Sequence, residues 1–390
     1  MQIIIPKEIL HEEKRVAAIP ETVEKLRQKG FDVAVESGAG AGIFIADAEY
    51  EKAGATLVKD IEELYVKADL ILKVKQPIFN EARKKHEVDM MPMGSTLVTF
   101  LHPAAPDNHD IVRRLRDRQI TSFTMDGIPR ISRAQRMDAL TSMSTVTGYR
   151  AVLDAAQHLP RFLPMIGTAI GVIKPANVLI VGAGVVGLQA IATAKRLGAV
   201  VKAWDIREAA RTEAGTLGAK VAGFDVPKEA AVAEGGFAKL LPEDWLRKEQ
   251  AAIQDVVADS DIVILSALVP GSLAPVIVTR EAVACMKPGS VIIDVAIDQG
   301  GNCKVTRPGC EIVSNHVKVC GLQDIPGKVA VHSTWLYANN IYYYVENLFK
   351  NGKGELDMED EIVKNSLVTY QGKLLHEGTL KALSEKETGK

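Results

Sequence analysis

The chain has 390 residues, 47% of them hydrophobic, with 31 glycines and a formal net charge of −2 from 47 basic and 49 acidic side chains. That near-balance argues against a nucleic-acid partner and against a protein held to a membrane by charge, and the length suits two or three domains at about 150 residues each. Four cysteines, Cys285, Cys303, Cys310 and Cys320, form no Cys-x-x-Cys pair, so no metal motif is expected and reduced thiols in the cytoplasm are the economical reading. The start, Met1-Gln-Ile-Ile-Ile-Pro, lacks a secretory pattern.

In the N-terminal third, apolar runs predict strands at Gln2–Ile5, Phe31–Glu36, Asp69–Lys75, Thr96–His102 and Thr121–Met125. Helices are predicted from about Pro20 to Lys29 and near Asp107–Arg118. Such alternation is a doubly wound sheet. A glycine cluster, Gly38-Ala-Gly40-Ala-Gly42, imitates a phosphate loop, but Ile43 stands where a third glycine would be needed, and it reads as a flexible turn. Three ionisable residues fall at predicted strand ends: Lys75, His102 and, further on, Asp298. Arg15 follows the first strand. Together they could bind a carboxylate (Arg15, Lys75) and move a proton (His102, Asp298).

The segment Pro129-Arg130-Ile131-Ser132-Arg133-Ala-Gln135-Arg136-Met137-Asp138-Ala-Leu-Thr141 packs three arginines, a glutamine and an aspartate into nine residues. Ser132-x-x-Gln135 has capping-box spacing, and from Val146 a helical period runs to about His158. The segment is either a solvated linker or a cradle in which Arg and Gln bond a nicotinamide carboxamide and ribose, with Asp138 locking Arg130 or Arg133.

Next comes Asn177-Val-Leu-Ile-Val-Gly182-Ala-Gly184-Val185-Val186-Gly187, then a helical stretch to Leu197, a stop at Gly198 and a second apolar strand ending at Asp205. These are the parts of a dinucleotide-binding βαβ unit in order. Gly182 permits the tight turn, Gly184 lets backbone approach a pyrophosphate, and Gly187 lets helix pack on strand. Asp205, 18 residues after Gly187, can accept hydrogen bonds from both adenosine ribose hydroxyls and would repel a 2′-phosphate. The unit is expected to prefer NAD(H) to NADP(H). The uncharged run Ala176–Ala194 looks like a membrane span only until the glycine turn divides it.

After Arg207 a short helix (Glu208–Leu217) precedes a Gly-bearing loop, Glu234-Gly235-Gly236-Phe237-Ala238-Lys239, either a surface insertion or a lid over the nucleotide. Further strands at Asp261–Leu265 and Ser290–Asp294 end at Ala267-Leu268-Val269-Pro270-Gly271 and at Ala296-Ile297-Asp298-Gln299-Gly300-Gly301-Asn302. Ser333–Phe349 predicts an aromatic-bearing helix, and Glu361–Leu374 predicts strands turning at Gln371-Gly372, with the tail returning to the N-terminal domain.

Over essentially its whole length the chain resembles the NAD(H)-binding component, domain I, of the α subunit of proton-translocating NAD(P) transhydrogenase. The Arg130–Asp138 motif is specific to that family. The glycine helix through Leu197-Gly198-Ala, Ala267-Leu-Val-Pro-Gly-Ser-Leu-Ala-Pro and Lys287-Pro-Gly-Ser-Val-Ile-Ile-Asp are shared with its relative, alanine dehydrogenase. The resemblance implies an α/β fold of two doubly wound Rossmann-like domains with a cleft between them. The N-terminal domain, 1–138 plus 328–390, would be discontinuous, and 139–327 would bind NAD(H). Arg130, Gln135 and Asp138 would position the dihydronicotinamide. Cofactor contacts would add Ile131, Ser132, Arg133, Arg136, Met137, Thr141, Gly182, Gly184, Val185, Val186, Gly187, Asp205, Ile206, Arg207, Gly236, Gln250, Ala267 and Leu268.

The family passes hydride directly from NADH to NADP+ on the β subunit, coupled to proton movement through membrane-spanning subunits. A homodimer is implied, with the helix around Tyr342–Tyr344 as one contact surface. Such a chain would be cytoplasmic and held peripherally at the inner membrane by its partners. Two departures are Thr141, where the family often has Ser, and Phe237, where it commonly has Tyr. Lys75, His102 and Asp298 resemble the alanine dehydrogenase substrate site, either as a remnant or as a working site. Alanine dehydrogenase is the alternative reading, and a non-catalytic NAD sensor a third.

Overall fold

The computed structural model describes residues 1–233, 236–269, 272–350 and 356–387. The chain forms two compact units, Met1–Met143 with Gly327–Lys390, and Ser144–Pro326.

The first unit is built on an eight-stranded sheet. Its strands lie in the order Lys373–Leu374, Leu367–Tyr370, Thr121–Thr124, Thr96–Thr99, Leu70–Leu72, Gln2–Ile5, Asp32–Glu36 and Thr56–Val58. The six from Thr121–Thr124 onward are parallel; from the C-terminal tail, Leu367–Tyr370 adds antiparallel to them and Lys373–Leu374 antiparallel to it. Side chains alternate between two cores. Ile3, Ile5, Val33, Val35 and Leu72 face one, shared with the helices Pro20–Gln28 and Ala330–Leu348. Ile4, Ala34, Ile71 and Leu97 face the other. Burial on both faces is why these strands read as unbroken apolar runs.

The second unit repeats the plan with seven strands, Lys220–Ala222, Val200–Trp204, Asn177–Val181, Ile262–Leu265, Val291–Asp294, Val317–Gly321 and Glu311–Ser314. All pairs are parallel except the last. Among the described residues no helix is long and apolar enough to cross a membrane.

Several expected details change. Glu361–Ser366 is a helix, not strand, because the Asp360 carboxylate caps it by accepting from the Ile362 amide at 2.9 Å. The strands before Lys75 and His102 stop at Leu72 and Thr99, so both residues stand in loops. The decoy turn is close-packed rather than flexible: a Cβ at Gly42 would lie 2.5 Å from the Lys14 carbonyl oxygen. Within the Tyr342–Tyr344 stretch, Tyr342 and Tyr344 are buried in the first unit, Tyr344 sharing a 2.6 Å hydrogen bond with Ser366, and Tyr343 is half-buried.

Candidate functional site

At the carboxyl end of strand Asn177–Val181 the chain turns through Gly182, whose φ of +88° favours glycine. A Cβ there would sit 2.8 Å from the Ala267 nitrogen, and one at Gly187 would collide with the Gly182 carbonyl. These two glycines are thus fixed by packing of the turn against the next loop and against the helix. Gly184 differs: its Cβ would meet nothing within 4 Å. It precedes helix Val185–Arg196 as its N-cap and offers no side chain to the first-turn amides. Uncapped first-turn amides, a positive dipole end and open space beside Gly184 are the features that an anion such as a pyrophosphate would use.

Asp205, 6% exposed, lies one residue past strand Val200–Trp204. Its Oδ2 accepts from the Ala183 amide at 2.8 Å and its Oδ1 from the Arg207 amide at 2.8 Å. The Arg207 guanidinium adds a fork, Nε to Oδ1 at 3.0 Å and Nη2 to Oδ2 at 2.8 Å, and Nη1 reaches the Gly236 carbonyl at 3.3 Å. Four donors fill about the four lone-pair sites of a carboxylate, so a hydroxyl ligand at Asp205 would have to displace or share part of the Arg207 fork. Beneath lies Glu249, 3% exposed, accepting from the Trp204 indole at 3.0 Å. Burial, against the Trp204 bond and helped by the Asp205 charge, pushes its carboxyl up to about 7.

Ala267 is clamped by Asn302: its amide donates to Asn302 Oδ1 at 2.9 Å and its carbonyl accepts from Nδ2 at 2.8 Å. Gln250 donates to the Val276 carbonyl at 2.7 Å. Val185, Val186 and Leu268 flank the turn or the next loop, and Ile206 follows Asp205. Parts of two expected features, Glu234-Gly235 of the lid loop and Pro270-Gly271 of the motif after Leu268, lie outside the described residues.

In the first unit, Ser132–Met137 forms a 3₁₀ helix, and Ser132 caps nothing with its side chain. Ala134 and Met137 are buried in the core. Arg133 pairs with Asp360 at 2.7 Å and Glu361 at 3.3 Å, and Arg136 lies 5.0 Å from the centre of the Tyr343 ring. Arg133 hydrogen bonds, outweighing burial, hold Asp360 well below the usual carboxylate range. Asp138 does not lock Arg133; it starts the long helix Ala139–His158. Its Oδ1 accepts from the Thr141 amide at 2.8 Å and its Oδ2 from the Thr141 hydroxyl at 2.6 Å. Half-buried Ile131 leads into this anchored turn, which leaves the Arg130 and Gln135 side chains exposed.

Arg15, Lys75 and His102 follow parallel strands that are neighbours in the same sheet, so their loops emerge along one edge. Arg15 is 3% exposed and forks onto Glu13, Nε to Oε1 at 2.8 Å and Nη2 to Oε2 at 2.5 Å. His102, at φ +44°, stacks on Phe100 at 5.7 Å and lies 3.3 Å from Asp126 through Nδ1. Burial would raise the Asp126 carboxyl, but the His102 charge and hydrogen bond and the Thr124 hydroxyl bring it down to about 2. Asp298 belongs to the second unit, in a 3₁₀ turn beyond strand Val291–Asp294, and accepts from Gln323 at 2.7 Å. Sequence reasoning does not find Asp126, Glu13, Glu249 or Asn302; the one local signal is Glu13, two residues before Arg15.

Comparison with known proteins orders these features. The family model "Alanine dehydrogenase/PNT, N-terminal domain" matches residues 4–147, and "Alanine dehydrogenase/PNT, C-terminal domain" matches 151–377. The chain is 42% identical over 379 residues to the first part of NAD(P) transhydrogenase subunit alpha of Rhodospirillum rubrum, covering 96% of this chain and 98% of the relative. Transhydrogenase from Sinorhizobium meliloti superposes with a TM-score of 0.81 at 37% identity, covering 97% and 99%. An L-alanine dehydrogenase superposes with a TM-score of 0.82 at 28% identity, covering 99% of each. Backbone shape is thus common to both kinds of relative, and sequence separates them.

Proposed function

Because the chain belongs to the alanine dehydrogenase/PNT family, we propose that it is the NAD(H)-binding subunit of a proton-translocating NAD(P) transhydrogenase. In this reading hydride passes directly to NADP+ held by a β subunit, and membrane-spanning subunits couple the transfer to proton movement at the inner membrane. When bound, NADH supplies the hydride and its nicotinamide needs no protein acid or base, only an oriented partner ring. The first-turn amides of Val185, Val186 and Gly187 bind the pyrophosphate beside Gly184. Asp205 binds the adenosine ribose in exchange for part of its Arg207 contacts and disfavours a 2′-phosphate. Arg130 and Gln135 orient the carboxamide.

The observation that carries this reading is the anchoring of the Ser132–Met137 turn. Arg133 and Arg136 hold it through an ion pair and a ring contact, Ala134 and Met137 through the core, and Arg130 and Gln135 are exposed on it. A homodimer is supported by an apolar hairpin in the second unit, Ile166–Thr168 with Gly171–Ile173, where Ile170 is 99% and Val172 67% exposed. The His102–Asp126 pair beside Arg15 and Lys75 favours a second reading, an amino-acid dehydrogenase site.

The isolated chain is expected to bind NADH far better than NADPH and to leave NADH unoxidised with pyruvate and ammonia. Adding the NADP-binding domain of the partner should start hydride transfer to an NADP analogue. Arg130→Ala should then slow single-turnover transfer by about a hundredfold while weakening NADH binding much less. Equal losses in both would reduce Arg130 to an anchor. Brisk turnover with pyruvate and ammonia would favour the second reading instead.

A further inference from the structure

We infer that His158, Glu311 and Cys320 form a transition-metal site of the zinc type at the edge of the second sheet. Sequence spacing hides it, because the donors come from a helix end and two strands. Cys320 and Glu311 are directly opposed in the antiparallel edge pair, and opposed residues carry their side chains on one face. The helix Ala139–His158 ends over that face, with His158 Nε2 at 3.2 Å from Glu311 Oε1. The imidazole nitrogen, the thiol sulfur and a carboxylate oxygen all lie within 4.8 Å of one another.

One ion would draw these atoms closer together. Bonds of about 2.0–2.2 Å to nitrogen and oxygen and about 2.3 Å to sulfur place the ligand atoms of a tetrahedral zinc roughly 3.3–3.7 Å apart. Imidazole, thiolate and carboxylate together favour zinc or cobalt over magnesium or calcium, which take oxygen. Cys320 is fully buried, packed in the core that also holds Leu159 and Leu322. The His158 and Glu311 side chains are 20% and 47% exposed. An ion would enter from solvent, meet the thiol below, and keep its fourth position for water. On binding, the Cys320 thiol proton leaves to solvent and the thiolate takes its place on the metal. Lys318 holds Glu311 Oε2 at 2.7 Å, which orients the carboxylate and leaves Oε1 toward His158, the part an outer-shell residue plays. The ion would tie the end of the long helix to the edge strands.

The test is Co2+ titration of the full chain carrying Cys285→Ser and Cys310→Ser, which removes the exposed thiols. One equivalent of Co2+ should produce a near-ultraviolet sulfur-to-cobalt charge-transfer band that Zn2+ abolishes by displacement. Cys320→Ala should remove the band, and His158→Gln and Glu311→Gln should each weaken Co2+ binding by at least about tenfold. Should Cys320→Ala fail to fold, the two surface variants decide. No band in the parent chain, or unchanged affinity in both surface variants, overturns the site and leaves a His158–Glu311–Lys318 surface ion cluster.

Discussion

The two sheets furnish their carboxyl-end loops by different physics. In the second unit the working surface is mainly backbone: three glycines, uncapped amides and one carboxylate within 24 residues of chain. In the first unit it is charge, and several cations are matched by carboxylates, one of them local in sequence and the others distant. Arg15 has Glu13, His102 has Asp126, Arg133 has Asp360, and beneath them Lys73 has Glu8 and Glu87. A backbone site costs little to build because its groups are already present. A site of buried charges stands only if every charge finds a partner and the remaining hydrogen bonds are made.

The sharpest way to break that contrast is Lys73→Met. Lys73 is 0% exposed, 3.2 Å from Glu8 and 2.9 Å from Glu87, and Tyr65 and the Val74 and Ile78 amides complete the two carboxylates. Burial would pull the Lys73 amine down, yet Glu8 and Glu87 raise it above its ordinary value. Removing the amine strands two buried carboxylates, and about 3–5 kcal/mol of stability should vanish in urea unfolding at neutral pH. A loss below about 1 kcal/mol would mean that this unit does not depend on paired charge.

The second unit has its own exception to backbone construction, Glu249. Its carboxyl value rises from 4.5 to about 7, so the folded state holds the proton more tightly than the unfolded chain does. That stabilisation is complete below about pH 4.5 and is lost as pH climbs through about 7. Glu249→Gln keeps an acceptor for Trp204 without the charge. The variant should gain on the parent between about pH 5 and 8, by about 3 kcal/mol at the upper end, since about 2.5 units at about 1.36 kcal/mol each gives that size. Urea midpoints at the two pH values check it, and parallel curves would remove Glu249 as a buried charge.

The same contrast explains what is legible in the sequence. Glycine spacing and the strand-terminal Asp205 are local, so the turn can be read from one stretch of chain. Its steric reasons, Ala267 under Gly182 and the Gly182 carbonyl under Gly187, need the fold. Arg133 finds Asp360 across 227 residues, and no spacing rule reaches that far. The apolar runs carry the predicted strands through to Lys75 and His102, but each lies three residues beyond its strand, and the prolines at 77 and 103 mark loops those runs obscure. In the linker two capping patterns compete, Ser132-x-x-Gln135 and Asp138-x-x-Thr141. The second wins because a carboxylate accepts from both the amide and the hydroxyl of Thr141.

That cap yields the smallest expected effect and the finest test of the family's claim on Asp138. If Asp138 only starts the long helix, Asp138→Ala should cost about 1 kcal/mol, the usual worth of an N-cap. Asp138→Asn, nearly as good a cap, should restore stability and hydride transfer together. If the carboxylate also steers Arg130 toward the nicotinamide, Asp138→Asn should regain the stability while single-turnover transfer stays slow, because an amide cannot hold a guanidinium as a carboxylate does. Measuring unfolding and transfer on the same two variants therefore separates a helix start from a coenzyme cradle, and shows whether the first unit's charges position the coenzyme or only hold the fold.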